Sequence, residues 1–468
     1  MRKIAFLFAF LAGCAAGPDY VRPQIEAPAQ YKELQGWRQA EPRDALPRGS
    51  WWTMFGDREL DALMARVDLS NQTLRAAEAR FRQSRALADQ ARAALFPALS
   101  ANASATRSKS PSLSNQPSFA VGAVNNYNVA LNTSWELDVW GRVRRSVEAG
   151  EAGWQASAAD LEAARLSAYA ALAQNYFALR VADATRQVLE DTVAAYARTL
   201  ELTRNRYAAG VVARVDVVQA EVQWKSARAQ LVDVGVERAQ LEHAIALLVG
   251  EAPAAFSIER APFAASMPAI PVGLPSELLE RRPDIAAAER NAAAANARIG
   301  VAQAAFFPTI TLSGAAGFRS TDSANLFTTP SRFWSLGGAL AQAVFDGGLR
   351  EAQKQQAIAV YDEDAATYRQ TVLTAFQEVE DNLAALRILE EEARLQDEVV
   401  QAARHALELT TNQYQAGIVS YLNVISAQTT LLSNERTASS LLGRRLTASV
   451  ALVKASGGGW SAESLPRR

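Results

Sequence analysis

Two windows of the chain, 154–209 and 349–416, contain neither proline nor glycine and are dense in Ala, Leu, Glu, Gln and Arg. Such side chains lose little freedom in a helix, so each window predicts a helix of unusual length. In the second window the larger apolar residues fall at Tyr368, Val372, Phe376, Val379, Leu383 and Leu386. Steps of four and three residues keep them on one helical face. At 1.5 Å per residue a helix filling that window is roughly 100 Å long, in the range of coiled coils and helical rods. Gly210 and Gly417 close the two windows, and shorter helical stretches follow at about 215–249 and 422–453. The pattern is that of two long helical hairpins.

Elsewhere the period drops to two. Over 127–139, Tyr127, Val129, Leu131, Thr133, Trp135, Leu137 and Val139 alternate with Asn128, Ala130, Asn132, Ser134, Glu136 and Asp138. Leu99, Ala101, Ala103 and Ala105 alternate with Ser100, Asn102, Ser104 and Thr106, and Ile310, Leu312, Ala316 and Phe318 with Thr309, Thr311, Ser313 and Gly317. A fourth segment, 333–345, is rich in Gly and Ala, and its alternation is the weakest. One apolar and one polar face fit a strand between lipid and water. A soluble sheet with one buried face gives the same pattern in any single strand. Four such strands flanked by helices of roughly 100 Å, however, have no evident core to cover them.

The chain is written twice. Asn205-Arg-Tyr-Ala-Ala-Gly-Val-Val returns as Asn412-Gln-Tyr-Gln-Ala-Gly-Ile-Val, and Ala94-Leu-Phe-Pro-Ala-Leu-Ser as Ala305-Phe-Phe-Pro-Thr-Ile-Thr. Trp140-Gly141 corresponds to Asp346-Gly347, and Leu74 to Glu78 parallels Ile285 to Glu289. Each half reads helix, strand, strand, long helix, tight turn, returning helix, with a Pro-rich stretch over 253–283 between them.

Composition narrows the reading. Of 468 residues 49% are hydrophobic, yet beyond the N-terminus no apolar stretch approaches the ~20 residues of a spanning helix. A membrane crossing would have to use the strands. Four strands cannot close a barrel, and an open edge cannot sit in lipid, so the strands must be shared among copies. Eight-stranded barrels fill with side chains, so polar inner faces favour three copies or more. The N-terminus carries Arg2 and Lys3, an apolar run and Leu11-Ala-Gly-Cys14. That is a secretory signal peptide ending in what looks like a lipobox, which makes Cys14 the lipidated first residue of the mature chain. Ala15, in place of an Asp, points to outer-membrane sorting.

Other chemistry is thin. Cys14 is the single cysteine, which leaves no disulfide or cysteine metal cluster. His243 and His405 are not equivalent under the repeat and make an improbable metal pair. Glu390-Glu391-Glu392, with Arg394 nearby, reads as a solvated helix face, and Gly347-Gly348 lacks a phosphate-loop context. No nucleophile–base arrangement stands out, and a formal net charge of −1 argues against a nucleic-acid partner. We expect no enzyme, metal or cofactor.

Further markers are Gly17-Pro-Asp-Tyr20 after Cys14, Trp51-Trp52 with Phe55-Gly56-Asp57, and Trp135-Glu-Leu-Asp-Val-Trp-Gly-Arg142. Leu278-Leu-Glu-Arg-Arg-Pro-Asp-Ile285, Phe345-Asp-Gly-Gly348 and Gly457-Gly-Gly-Trp460 follow. In order and spacing the chain resembles TolC-like outer-membrane efflux factors, in the lipoprotein branch that serves resistance-nodulation-division (RND) pumps. The resemblance implies an α+β, mostly α protein: a homotrimer with a twelve-stranded outer-membrane β-barrel, four strands per chain, continuous with a long periplasmic α-helical barrel. It divides the chain into a signal peptide (1–13), a lipidated equatorial segment (14–56), a first repeat (57–250), a linker (251–275), a second repeat (276–456) and an equatorial tail (457–468). The implied function is passive conduction of small molecules, drugs and toxic compounds among them, from an inner-membrane RND-type pump and a periplasmic adaptor protein to the exterior. Alternatives are a protein-secretion conduit of the same architecture and a lipid-anchored coiled-coil tether, the latter having no use for four alternating strands.

By the same resemblance the hairpin tips meet the adaptor, here at Tyr207, Gly210, Val211, Tyr414, Gly417 and Ile418. The periplasmic gate falls at Leu422, Asn423 and Ser426. Many family members carry an acidic ring there; Asn423 and Ser426 are uncharged, while Asp216 keeps an acid at the repeat equivalent of Asn423. We expect a gate constricted by Leu422, with Asn423 and Ser426 holding the tip by hydrogen bonds.

Overall fold

The computed structural model describes residues 15–34, 50–109, 122–261, 267, 268, 270 and 275–466, so Cys14 lies outside the described residues. Helices α1 (Arg58–Ser70) and α2 (Gln72–Ala93) precede strands β1 (Ala98–Ser108) and β2 (Val124–Glu136). Then come α3 (Arg142–Ala208) and α4 (Arg214–Leu248), and after the linker a short α5 (Leu278–Arg281). The second half holds α6 (Pro283–Ala304), β3 (Thr309–Ser320), β4 (Arg332–Ala341), α7 (Leu349–Gln415) and α8 (Tyr421–Ala455). Helices α2 and α6 each have 22 residues, α3 and α7 each 67, and α4 and α8 each 35.

Two boundaries differ from the sequence expectation for one physical reason. Strand β2 stops at Glu136, because the Asp138 carboxylate accepts the amides of Val143 and Arg144 at 2.8 and 2.9 Å and so opens α3. Asp138, expected on the polar strand face, is therefore a helix cap. Strand β4 stops at Ala341, and Asp346 takes the Gly348 amide at 3.0 Å and the Arg350 guanidinium at 2.5 Å at the start of α7. Helix α3 also runs through Gly150, where a Cβ would lie 3.2 Å from the Ala88 Cα of α2. The missing side chain lets two backbones approach.

Two compact units form, and they cut across the sequence halves. One draws on Met1–Gln24, Arg80–Ser157 and Ala287–Arg369, the other on Ile25–Ala79, Ala158–Ala286 and Gln370–Arg468. The first holds a four-stranded antiparallel sheet in the order β1-β2-β3-β4. Its register aligns like with like. Ala101 faces Leu131, which faces Ala316, which faces Trp334; on the other surface Ser100, Asn132, Ala315 and Ser335 stand in line. Pairing also settles β4, whose Trp334, Leu336 and Leu340 continue the apolar surface of Phe318, Gly314 and Ile310. That surface is bare: Trp334 is 75% exposed and Leu336 80%.

In the same unit the N-terminal segment is clamped at the level of backbone. The Ala16 amide donates to Trp140 O at 2.9 Å, and Arg145 donates to Ala16 O, Gly17 O and the Asp19 carboxylate at 3.2, 3.4 and 2.7 Å. Asn296 reaches Pro18 O at 3.0 Å, and the Tyr20 hydroxyl donates to Glu289 at 2.8 Å. Gly17 has φ +92°, and a Cβ there would sit 2.4 Å from the Gly300 Cα. Only glycine meets both demands.

The second unit packs Trp51, Trp52 and Phe55 against α3, with ring centroids 4.5 Å apart for Trp52–Tyr169 and 4.8 Å for Phe55–Phe177. Buried Arg180 donates to Glu59, to Asp183 at 3.3 Å and to Glu259 O at 2.8 Å, while Arg238 holds Asp183 and Ile258 O at 2.7 Å each. In the Leu-Leu-Glu-Arg-Arg-Pro-Asp-Ile motif Arg282 does equivalent work, gripping Asp284 and Glu378 at 2.6 Å each and Ala455 O at 3.3 Å. These guanidiniums satisfy carbonyls that irregular segments leave open.

Gly300→Val should lower the thermal unfolding temperature of the detergent-solubilised protein, because a side chain there meets Ala16 O and the Arg145 stem at 2.8 Å. Overpacking of this kind costs about 1–3 kcal/mol. Unchanged calorimetric unfolding would show that the strap is not held at this point.

Candidate functional site

Both hairpin turns are built by the same local chemistry. Gly210 and Gly417 adopt φ of +74° and +78°. The Gly210 and Val211 amides return to Tyr207 O and Arg206 O, each at 2.9 Å; those of Gly417 and Ile418 return to Tyr414 O at 3.0 Å and Gln413 O at 2.9 Å. This pair of bonds ends a helix by closing its last carbonyls around a left-handed residue. The next helix starts within a few residues, so the chain reverses sharply. Val211 and Ile418 are left on the outside of the turns, Ile418 being 73% exposed, and Tyr207 is half exposed.

Tyr414 corrects one expectation. It is 2% exposed and packs against Tyr421 at 5.4 Å between centroids, in a cluster with Leu200, Ala220 and Val424. All four long helices contribute to that cluster, so its ring joins the two hairpins and is not on the tip surface. Burial pushes the Tyr196 hydroxyl up to about 12 and the Tyr421 hydroxyl higher still, so both stay neutral at any physiological pH. Among the described residues the Tyr196 and Tyr414 hydroxyls have no hydrogen-bond partner.

The residue that sequence reasoning missed is Arg206. Its guanidinium donates to Tyr414 O at 2.5 Å and Gln415 O at 3.4 Å, and lies 4.6 Å from the Tyr414 ring centre. A cation from the end of α3 thus caps the C-terminal carbonyls of α7, where the helix dipole is negative. A signal existed: Arg206 sits inside the repeated octapeptide, and its counterpart is the neutral Gln413. The link therefore runs one way, from the first hairpin to the second.

Leu422, Asn423 and Ser426 are all exposed and share one face of the first turns of α8, lining a groove with Ala403 and Thr410 of α7. Leu422 is 60% exposed. The Ser420 hydroxyl donates to Asn423 Oδ1 at 3.0 Å, so the Asn423 side chain braces the start of its own helix. Asp216 lies in the first turn of α4, at the corresponding place on the other hairpin.

In the sheet unit the apolar surface ends, beside the helices, in aromatic rings. Trp140 stacks on Phe307 with centroids 4.8 Å apart and donates from its indole to Pro308 O at 2.8 Å. Phe96 and Phe345 are exposed near the feet of β1 and β4. No helix among the described residues is long and apolar enough to cross a membrane.

A chain with bare apolar strands, polar opposite faces and two capped hairpins has clear relatives. It belongs to the outer membrane efflux protein family, whose pattern matches residues 63–251 and 274–458. It is 32% identical over 470 residues to the pyoverdine export outer membrane protein OpmQ of Pseudomonas aeruginosa, covering 99% of this chain and 98% of that one. To the probable efflux pump outer membrane protein TtgC of Pseudomonas putida it is 33% identical over 456 residues, covering 96% and 93%. Among solved structures, the outer-membrane channel OprN superposes with a TM-score of 0.89 at 31% identity, covering 96% of this chain and 100% of that one. The open state of the Neisseria gonorrhoeae MtrE outer membrane channel gives 0.84 at 30%, covering 96% and 99%.

Removing the Arg206 cap should loosen the tip. Arg206→Ala should speed amide hydrogen exchange over 412–418 by roughly 10- to 100-fold, since bonds from a charged donor contribute about 1.5–3 kcal/mol. Gln413→Ala serves as the control and should leave that exchange unchanged.

Proposed function

We propose that three copies of this chain share their strands in one twelve-stranded barrel in the outer membrane, and that the four long helices of each copy extend it as a periplasmic tunnel. The tunnel would conduct small molecules passively, the energy coming from an inner-membrane pump of the RND type joined through a periplasmic adaptor. One observation carries this reading. The apolar surface is continuous across all four strands, while both outer edges of the sheet are unpaired among the described residues. Lipid tolerates strands only when every backbone group is bonded, so the edges need neighbours. A closed barrel of twelve strands also leaves an aqueous passage inside the polar face.

In this reading Cys14 bears the lipid, and the clamped segment after it holds the anchor against the sheet unit. In the same reading the two hairpins of each copy stand at the far end of the proposed tunnel. Adaptor contact falls to Tyr207, Val211 and Ile418 around Gly210 and Gly417. Leu422, Asn423 and Ser426 form the constriction, with Leu422 as the steric element and no carboxylate at those positions. The partnerless hydroxyls of Tyr196 and Tyr414 support a tip that opens, because a packed polar cluster left unsatisfied is held less firmly. Efflux of toxic small molecules is favoured over protein secretion by the relatives, whose names are those of pyoverdine and solvent or antibiotic exporters.

Two experiments test the proposal. Leu131→Arg should impair trimer assembly, because an arginine on the lipid face costs roughly 2–4 kcal/mol per copy at mid-bilayer. Asn132→Arg, one residue along and on the polar face, should assemble normally; equal damage from both would refute the face assignment. In planar bilayers the parent should conduct with little preference between cations and anions. Ser426→Asp should raise cation selectivity, since a ring of carboxylates in a narrow pore attracts cations, and Leu422→Ala should raise resting conductance. If both variants conduct like the parent, the aperture lies elsewhere.

A further inference from the structure

Charged side chains in the sheet unit are distributed unequally between its two ends. Beside the helices they are paired: Glu136 with Arg142 at 2.5 Å, Asp138 with Arg144 at 3.1 Å and Asp346 with Arg350 at 2.5 Å. At the opposite end the balance reverses. Segment 104–128 contains Arg107 and Lys109 and no acid, and segment 317–334 contains Arg319 and Arg332 with Asp322 as its one acid. The Asp322 carboxylate is already engaged by the Ala324 amide at 3.1 Å and the Asn325 side chain at 3.0 Å. None of these four cations forms an ion pair among the described residues, although the whole chain is nearly neutral.

The register sorts them by face. Arg332 stands opposite Phe318, and Arg107 opposite Asn125 in line with Leu131 and Leu99, so both belong to the apolar surface. Arg319 stands opposite Asn128, on the polar surface, with its guanidinium 4.9 Å from the Phe333 ring centre. Arg107 is eight residues beyond Leu99, roughly 26 Å along a strand, so it marks the far edge of the apolar band and is not inside it. Arg332 lies at the corresponding edge of β4, 6.0 Å from the Phe318 ring centre. An unpaired guanidinium on a lipid-facing surface is stable only where anions replace the water it gives up.

The edges of the sheet bring these residues together. Pairing Ala98 with Ser134 and Thr309 with Ala341 sets β1–β2 and β3–β4 in equivalent registers, so a junction between β4 and the β1 of the next copy repeats the β2–β3 junction. Carried over, that register sets Arg332 just past Lys109 and Arg107 of the neighbouring copy. We propose that Arg332 of one copy, with Arg107 and Lys109 of the next, forms a cationic cleft on the lipid side of each junction that binds the phosphates of anionic lipid headgroups in the outer leaflet. The cleft rests on the shared-barrel reading and would tie neighbouring copies together through a lipid that both contact. Lysine and arginine near an anionic lipid surface contribute about fivefold each to binding, so three should contribute on the order of 100-fold.

The test uses the full-length protein in neutral detergent, titrated with diphosphorylated lipid A and with the same lipid after enzymatic removal of its phosphates. The phosphorylated lipid should bind on the order of 100-fold more tightly and raise the temperature at which the oligomer dissociates, an effect that salt weakens. A triple Arg107→Ser, Lys109→Ser, Arg332→Ser variant should lose that preference, while Arg319→Ser, on the polar face, should keep it. Equal binding of both lipids by the parent, or an undiminished preference in the triple variant, would overturn the cleft. Should the triple variant fail to assemble, the comparison of the two lipids on the parent still decides. Bilayer conductance separates the barrel from the cleft: a parent that is monomeric and silent refutes the shared barrel, whereas one that conducts but ignores the phosphates refutes the cleft alone.

Discussion

Every backbone group of a strand needs a partner, and among the described residues the outer edges of β1 and β4 have none. Water could satisfy those edges, but water is the wrong solvent for the surface that carries Leu99, Leu131, Trp334 and Leu336. Lipid suits that surface and leaves the edges unsatisfied. The conflict disappears when edges meet edges of other copies. Much else in the chain follows from it. The sheet is antiparallel in simple sequence order, so its first and last strands lie at opposite margins and are free to pair outward. In the barrel proposed above, the polar face encloses water, which no single copy could do.

The helices answer a different demand. A helix of 67 residues gains little from propensity and must be held by neighbours along its length. Near the tip the chain supplies them from all four long helices, where Leu200 of α3, Ala220 of α4, Tyr414 of α7 and Val424 of α8 share one cluster. Arginines, most of them buried, fix the surrounding irregular segments: Arg180 and the partly buried Arg238 hold the linker at Glu259 and Ile258, Arg282 holds the end of α8 at Ala455, and Arg145 holds the N-terminal strap. Each removes an open carbonyl that neither helix nor sheet could satisfy. At the tips the same device appears in Arg206, where the two hairpins also meet through an apolar cluster around Tyr414 and Tyr421 and through Gln428, which donates to the Thr199 hydroxyl at 3.4 Å. The family to which the chain belongs is one of channels, and a region of incomplete satisfaction is where a channel can move with least loss.

Much of this was legible in one dimension because the signals are periodic. The Pro- and Gly-free windows mark the long helices, and the two-residue alternation of Tyr127, Val129 and Leu131 marks a strand with unlike faces. What misled was the assumption that alternation continues to the end of its run. Asp138 keeps the strand rhythm in sequence, yet its carboxylate is drawn to the amides of Val143 and Arg144, and the helix starts there. The window free of Pro and Gly opens at 154, yet α3 begins at Arg142 and runs through Gly150, where α2 approaches. In β4 the Gly/Ala composition hid an alternation that pairing with β3 makes plain.

The tips divide along the same line. Their turns were readable, since only glycine at 210 and 417 takes the left-handed conformation at no cost, and the repeated octapeptide announces both. Whether a tip residue faces solvent or a neighbour was not readable, because that depends on helices far apart in the chain. Tyr207 and Tyr414 hold equivalent places in the repeat, yet one is half exposed and the other is closed in by Tyr421 and covered by Arg206. By itself the sequence determined the element types, the hairpins and the unlike faces of the strands, which follow from local propensity and period, while its ordered motifs carried the resemblance to the family. Tertiary structure alone decided the sheet register, the caps that set element ends and the burial of Tyr414. Caps such as Asp138 are local but compete with the strand rhythm, whereas the β2–β3 register and the burial of Tyr414 depend on residues far apart in the chain, Arg206 and Tyr414 being 208 positions apart.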